Sequence, residues 1–505
     1  PPEPPSVQWT RRLIIVAFWV VVACLGLPYW LWTTSTYRAH LPLEVMESWS
    51  EGRACSMHFP MYIRLSVHGW SDSMEAELIT QVQRRWDAVP ETYPLDFRLA
   101  FGHYNDSELQ RDWSMTVTVK TEPGVQPQAK LQPMSRSLDL LYGYGRSEEL
   151  RLDALGSFIA EEIRNVFKDE RETLSYMLGN SPFAGDQEVL LSTEARADLE
   201  ARVTRAFSYA STYHLTFSLF TSGASPSTWD IDAALERYMN PLIRALSNIS
   251  HFTVDTQVQL HASISPSIAG PQFDATTRDW KLQKTDLSGF VNSAEWPLSP
   301  SIGSGPTINF VLYVPAPDHS PLVLAETGGT SWLIPQWGGV QILNLGSKQS
   351  DQLTIGNLEP IMLTFANQLT SLIGLPPSPP SLALRISSLT RERATSLIIS
   401  ASSTLGALAR LTLKLTSIAI PNTVAKSVED TIFHLEQACK DIHVGDFQCA
   451  LENARIANDQ AERAFFEPSM VGQVYFPDEH KVAVYVPLLG PLAVPMVMAA
   501  LKEIR

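Results

Sequence analysis

The side chains best placed to do chemistry in this 505-residue sequence each meet a geometric objection. Cys55 has Arg53 and His58 as neighbours, an environment that favours a thiolate, yet no base motif follows downstream. Asp318-His319-Ser320 spells a hydrolase triad in letters. Three consecutive residues cannot converge on one substrate atom in relay geometry, and Pro315, Pro317 and Pro321 make the segment a rigid loop. Gly143-Tyr144-Gly145 begins a dinucleotide-type pattern, but Glu148 stands where the third glycine belongs, so a turn is expected. In Gly303-Ser304-Gly305 the glycines adjoin the serine, unlike a nucleophile elbow. No zinc-protease helix motif, zinc-type cysteine pair or phosphate-binding loop occurs, and no catalytic residue, metal or cofactor is assigned. Trp337-Gly338-Gly339 places a large ring beside backbone that can approach closely, which suits either a packed turn or a docking surface.

The elements that must position these residues begin at the ends. Leu13–Trp32 and Val482–Leu501 are uncharged apolar stretches of membrane-crossing length. Arg11 and Arg12 precede the first, while Lys502 and Arg505 follow the second. The positive-inside bias therefore puts both termini in the cytosol and residues 33–481 on the lumenal or exterior side. The first run is too long for a signal-peptide core, and no small-x-small cleavage site precedes Trp30-Leu31-Trp32. Within the second, Pro487, Pro491 and Pro495 share one helical face with Gly490 among them. Each proline frees a carbonyl that needs a substitute partner in lipid, which points to packing against other helices.

Between the ends, Ile63, Leu65 and Val67 alternate with polar residues as a half-buried strand does. Met74, Leu78, Val82 and Trp86 then follow at helical spacing, with Asp72 and Glu75 as a capping-box-like start. Strands are also expected at Phe97–Phe101, Met115–Val119, Leu215–Leu219, at Val254 and Gln257–Leu260, and at Ile308–Val314, the last apolar enough to be buried on both faces. Helices are expected at Arg151–Lys168, Glu194–Arg205 and Trp229–Leu246. The proline run Gly374–Pro380 marks a boundary. Beyond it Ile398, Ala401, Leu405, Leu408, Leu411, Leu415 and Ile418 form one apolar helical stripe, and Val424–Ile442 with Phe447–Phe466 form a helical hairpin. The expected fold is a lumenal α/β domain (33–375), a mixed sheet with packed helices, plus a C-terminal helical bundle (381–467), bracketed by transmembrane helices at 13–32 and 482–501. Short cytosolic ends, 1–12 and 502–505, complete it. No internal repeat is found at the fixed periods of solenoids.

A net charge of -15 argues against nucleic acid and against anionic membrane surfaces, since both select basic faces. Cys24 lies in the first apolar stretch; Cys55, Cys439 and Cys449 fall on the oxidising side. Cys439 and Cys449 flank the turn His443–Asp446 and are the candidate disulfide, facing each other across the hairpin. On one unbroken helix about 15 Å would separate them and forbid it. Cys55 is then left free or paired with another chain. Asn105-Asp106-Ser107 and Asn248-Ile249-Ser250 are glycosylation sequons.

Several separated blocks resemble the PIG-S family, a subunit of the glycosylphosphatidylinositol (GPI) transamidase of the endoplasmic reticulum. They include Gly26-Leu27-Pro28, Thr33–Ala39 with Leu41-Pro42, Trp229-Asp230-Ile231, Phe252–Gln257, Asn309–Pro315, His319–Leu322 and Trp337-Gly338-Gly339. The C-terminal block is the most specific: Pro468-Ser469-Met470-Val471, then Tyr475–Lys481, then the proline-bearing span. Residues 126–202 match least. The resemblance implies a two-pass endoplasmic reticulum membrane protein without its own active site. Its expected partners are the other transamidase subunits, among them a legumain-like cysteine protease that carries the nucleophile. The GPI lipid and the substrate's C-terminal signal are further candidates. The rival readings are a membrane-tethered lumenal hydrolase using Cys55 or the His319 loop, and a lumenal glycan- or lipid-binding module.

Overall fold

The computed structural model describes residues 4–26, 28–29, 32, 37–88, 95–100, 115–144, 151–184, 192–262, 270–283, 305–345, 351–415, 418–470 and 478–504. The chain opens with α1 (Pro5–Val21), continued by a π-helical turn Val22–Gly26, and α2 (Leu43–Ser50). There follow β1 (Phe59–Val67), α3 (Asp72–Asp87), β2 (Leu95–Ala100), β3 (Met115–Pro123), β4 (Gln128–Leu131), β5 (Ser137–Tyr144) and α4 (Leu152–Val166). Next come α5 (Lys168–Gly179), α6 (Thr193–Arg205), β6 (Thr212–Thr221), β7 (Thr228–Trp229), α7 (Asn240–Leu246) and β8 (His251–Gln259). The chain continues through β9 (Gln272–Asp274), β10 (Asp279–Leu282), β11 (Thr307–Val314), β12 (Leu322–Leu324), β13 (Ser331–Ile334), β14 (Gly338–Ile342) and β15 (Gln352–Leu353). The last helices are α8 (Ile355–Leu372), α9 (Leu382–Lys414), α10 (Asn422–Val444), α11 (Phe447–Phe465) and α12 (Asp478–Ile504).

Two compact units form. The larger (57–396 with 439–452) contains two five-stranded sheets of one topology. In strand order the first is β2-β1-β3-β5-β4 and the second is β8-β6-β11-β14-β13. In each, four strands run parallel and the fourth strand in sequence returns antiparallel at the edge. The helices repeat as well: α3 after β1 packs on α4 after β5, and the helical segment after β6 packs on α8 after β14. The expected mixed α/β body with packed helices is present, and within it the same plan occurs twice.

Local sequence explains the elements. Along β1, Met61, Ile63, Leu65 and Val67 are buried while Tyr62, Arg64 and Ser66 are partly exposed, the alternation of a strand with one fully covered face. β11 is buried from Ile308 to Val314, as its unbroken apolar run predicted. The capping box expected at Asp72 is not formed. Ser71 is the N-cap, and the Glu75 carboxylate instead accepts a hydrogen bond from the Val67 N–H at 2.7 Å, tying the first turn of α3 to the end of β1. The helix expected over Trp229–Leu246 is interrupted. Trp229 belongs to β7, and a π-helical turn Leu235–Met239 stands directly before Asn240-Pro241, where the proline lacks the N–H that a regular turn would use. The hairpin β4–β5 and helix α5 were not anticipated.

The smaller unit comprises 1–56, 397–438 and 453–505. Here the second half of α9 buries Ile398, Ala401, Leu405 and Leu408 of the predicted stripe, while Leu411 is partly exposed and Leu415 and Ile418 lie beyond the helix end at Lys414. Gly406 lets α2 approach it: a Cβ there would fall 2.3 Å from the Ser50 Cβ. Among the described residues, Ser6–Gly26 and Leu382–Lys414 are long and apolar enough to cross a membrane, although 50% of the latter's apolar window is buried inside the protein, as in a core helix. α12 contains a shorter apolar stretch, Ala493–Lys502, and α1 and α12 are in contact.

Candidate functional site

Two of the four cysteines, Cys55 and Cys439, are disulfide-bonded, whereas Cys24 and Cys449 are free. The expected Cys439–Cys449 bridge is therefore not made, although the hairpin turn falls where predicted. Gly445 takes φ +84° at the end of α10, and Asp446 accepts the Cys449 N–H at 3.2 Å to cap α11. The two cysteines sit on different faces: Cys439 is buried beside Ala438 and Ile442, while Cys449 is exposed in the first turn of α11. Sequence separation says nothing about face, which is why the nearest pair misled. As a disulfide partner Cys55 has no thiolate to offer, and burial followed by the nearby Asp446 raises the Cys449 thiol above its ordinary pKa, the opposite of activation.

His319 stands in a single 3-10 turn, Pro317–His319, with its ring edge-on to Trp280 at 4.6 Å between centroids. Asp318 projects into solvent beside it. These contacts do not form a relay. The glycines after Trp337 have a packing reason. A Cβ on Gly338 would lie 1.8 Å from the Asn309 carbonyl oxygen, and one on Gly339 would lie 1.8 Å from Gln368 Oε1. Trp337 itself is partly buried against the cluster of Phe220, Val311, Leu322 and Val340. Gly143 plays a matching part in the first sheet, since its Cβ would meet the Val125 carbonyl at 1.5 Å.

Asn248 is exposed after α7, on the wall of a cavity of about 220 Å³ that Arg136, Ile386 and Phe447 also line. Its carbonyl accepts from Gln448 Nε2 at 2.6 Å, and Ser250 of the same sequon is buried with its hydroxyl donating to Ala210 O at 2.8 Å. Asn105 lies outside the described residues. Pro487, Pro491 and Pro495 all fall inside α12 and are exposed, and a Cβ on Gly490 would meet nothing within 4 Å.

Two arrangements escaped sequence reasoning. Arg391, fully buried, holds Glu170 through Nε at 2.5 Å and Nη2 at 2.9 Å, and Arg202 holds Glu392 at 2.9 Å. These pairs pin α5 and α6 to the start of α9, and the adjacent charges Arg391-Glu392 in an apolar helix were the one available hint. In the smaller unit, Arg38 bridges to Ile420 and caps the end of α9 by donating to Thr412 O at 2.8 Å and Leu415 O at 3.3 Å. Tyr37 adds a hydrogen bond to Asn422 Oδ1 at 2.7 Å.

These features define an α/β protein with apolar helices of membrane-crossing length, whose most conspicuous polar residues fasten helices to one another. By the match of residues 17–505 to the model of the phosphatidylinositol-glycan biosynthesis class S proteins, the chain belongs to the PIG-S family. It is 27% identical to the GPI-anchor transamidase component PIGS of Bos taurus, over 96% of this chain and 93% of that protein. It is equally similar, at 27%, to the GPI transamidase component PIG-S homolog of Schizosaccharomyces pombe (98% and 84% covered) and to the GPI transamidase component GPI17 of Saccharomyces cerevisiae (96% and 90%).

Proposed function

We propose that this chain is a non-catalytic subunit of the GPI transamidase of the endoplasmic reticulum membrane, supporting the transfer of preassembled GPI anchors to the C-termini of substrate proteins. The observation that carries this reading is the family match over residues 17–505, with similarity to proteins named as components of that assembly. Residues 13–32 and 482–501 serve as the two spans, both termini are cytosolic, and the α/β body with its helical region is lumenal. Asn105 and Asn248 carry glycans there, and the partly buried Trp337 is the docking candidate of the second sheet.

The proline face of α12 supplies the membrane contact. Each proline leaves the carbonyl four residues earlier without its usual donor, at Ala483, Pro487 and Pro491. Those acceptors lie on one side of the helix, where Gly490 admits close approach, and in lipid they find donors on helices of other subunits. Catalysis belongs to a partner of the cysteine-protease class.

Purification from endoplasmic reticulum membranes in mild detergent, followed by mass spectrometry of every co-purifying chain, tests the reading. A stable set that includes a legumain-like cysteine protease supports it. Recovery of this chain alone overturns it.

A further inference from the structure

The second sheet ends in an edge strand with few of the usual protections. β8 runs for nine residues, and among the described residues it pairs with β6 alone, from Thr212↔His251 to Phe220↔Gln259. The His251 N–H points inward to Ser211 O. By the alternation of a strand, the N–H and C=O groups of Phe252, Val254, Thr256 and Val258 therefore point outward. Val254 and Val258, on one face, are 37% and 41% exposed. Edge strands are ordinarily blunted by shortness, proline, charged side chains, a bulge or a covering segment. Of the other edges, β2 is six residues long, β4 and β13 are four each, and β4 carries Lys130. β8 has no proline, glycine or lysine and is rich in β-branched residues.

We propose that β8 is completed by a strand from another subunit of the assembly, one that sets Lys or Arg against Asp255 and β-branched or apolar residues against Val254 and Val258. Asp255, the central residue of β8, is exposed and is the strand's only carboxylate. It also disfavours a second copy as the occupant. Two β8 strands meeting across a two-fold axis in full register would oppose Asp255 to Asp255, in the closer, non-hydrogen-bonded type of pair, where like charges repel. A basic residue there gains what a second copy loses. The proposal rests on the subunit reading above.

The test uses the full chain in its membrane, with benzoyl-phenylalanine in place of Thr256, a site whose side chain is exposed. Irradiation of the purified assembly is expected to give an adduct that maps to an extended segment of a co-purifying subunit, with Lys or Arg within reach of Asp255. Thr256→Pro, which removes an outward N–H without touching the β6 pairing, is expected to lower recovery of that subunit about tenfold. Thr256→Ala keeps the N–H and should change recovery by less than about twofold. Should Thr256→Pro misfold, as judged by protease resistance, the adduct alone decides. An intact assembly that yields no adduct, or an adduct to a second copy, overturns the proposal and leaves the subunit reading standing. Wild-type chain recovered without partners overturns both.

Discussion

The two sheets of the larger unit share strand order, strand direction and flanking helices, yet their sequences look unalike because they are covered differently. β1 and β3 alternate buried with partly exposed positions, whereas β6 and β11 are buried almost throughout. In the second sheet Phe217 and Phe310 stack at 5.1 Å between centroids, and Phe365 of α8 joins Phe310 at the same distance. The second sheet also carries an insertion, the small sheet β12-β10-β9, whose Leu282, Leu322 and Leu324 pack with Phe220, Val311 and Val340. One topology thus tolerates two cores. What differs is how many faces must be apolar, and hydrophobic periodicity reports that number rather than the fold.

The comparison can be broken most severely where the halves are joined. Arg391→Ala leaves Glu170 buried without its partner and should cost about 3–5 kcal/mol, seen as loss of protease resistance in both sheets together. If only one half becomes labile, the ion pairs do not couple them. Phe310→Ala should cost about 3–5 kcal/mol and Ile63→Ala, in the more open first sheet, nearer 2. Denaturant midpoints of the full chain in detergent compare them, and equal losses would mean that the covering difference has no energetic weight. Gly339→Ala should cost about 1–3 kcal/mol by overpacking and be largely rescued by Gln368→Ala. Gly338→Ala, blocked by the Asn309 backbone, should not be rescued. The smallest effect is expected for Glu75→Ala, about 1 kcal/mol from the lost bond to Val67, confined to hydrogen exchange at the start of α3.

Much of this was legible in the chain itself. Ile308–Val314 announced a strand buried on both faces, and the stripe from Ile398 to Leu408 announced the buried face of α9, because burial selects side chains in the period of the backbone. The hairpin turn at Gly445 was equally plain, since few residues other than glycine accept its φ of +84°. The hairpin β4–β5 was not. β4 is four residues long and mostly exposed, so its pattern holds no apolar period to detect. Of the candidate site residues, the three prolines lie in one helix as expected, while the cysteine pairing was misjudged because proximity along the chain replaced proximity in space.

Sequence alone determined the apolar stretches of membrane-crossing length, the strands whose hydrophobic period is strong and the family to which the chain belongs, since all of these are written in local composition or in blocks of residues. Only the tertiary structure decided that one strand plan is used twice, that Cys439 takes part in a disulfide while Cys449 stays free, and that β8 is an edge strand among the described residues. Each of those depends on which distant segments meet. The free energy of such contacts comes from burial and pairing between residues tens to hundreds of positions apart, and no local pattern encodes the partner.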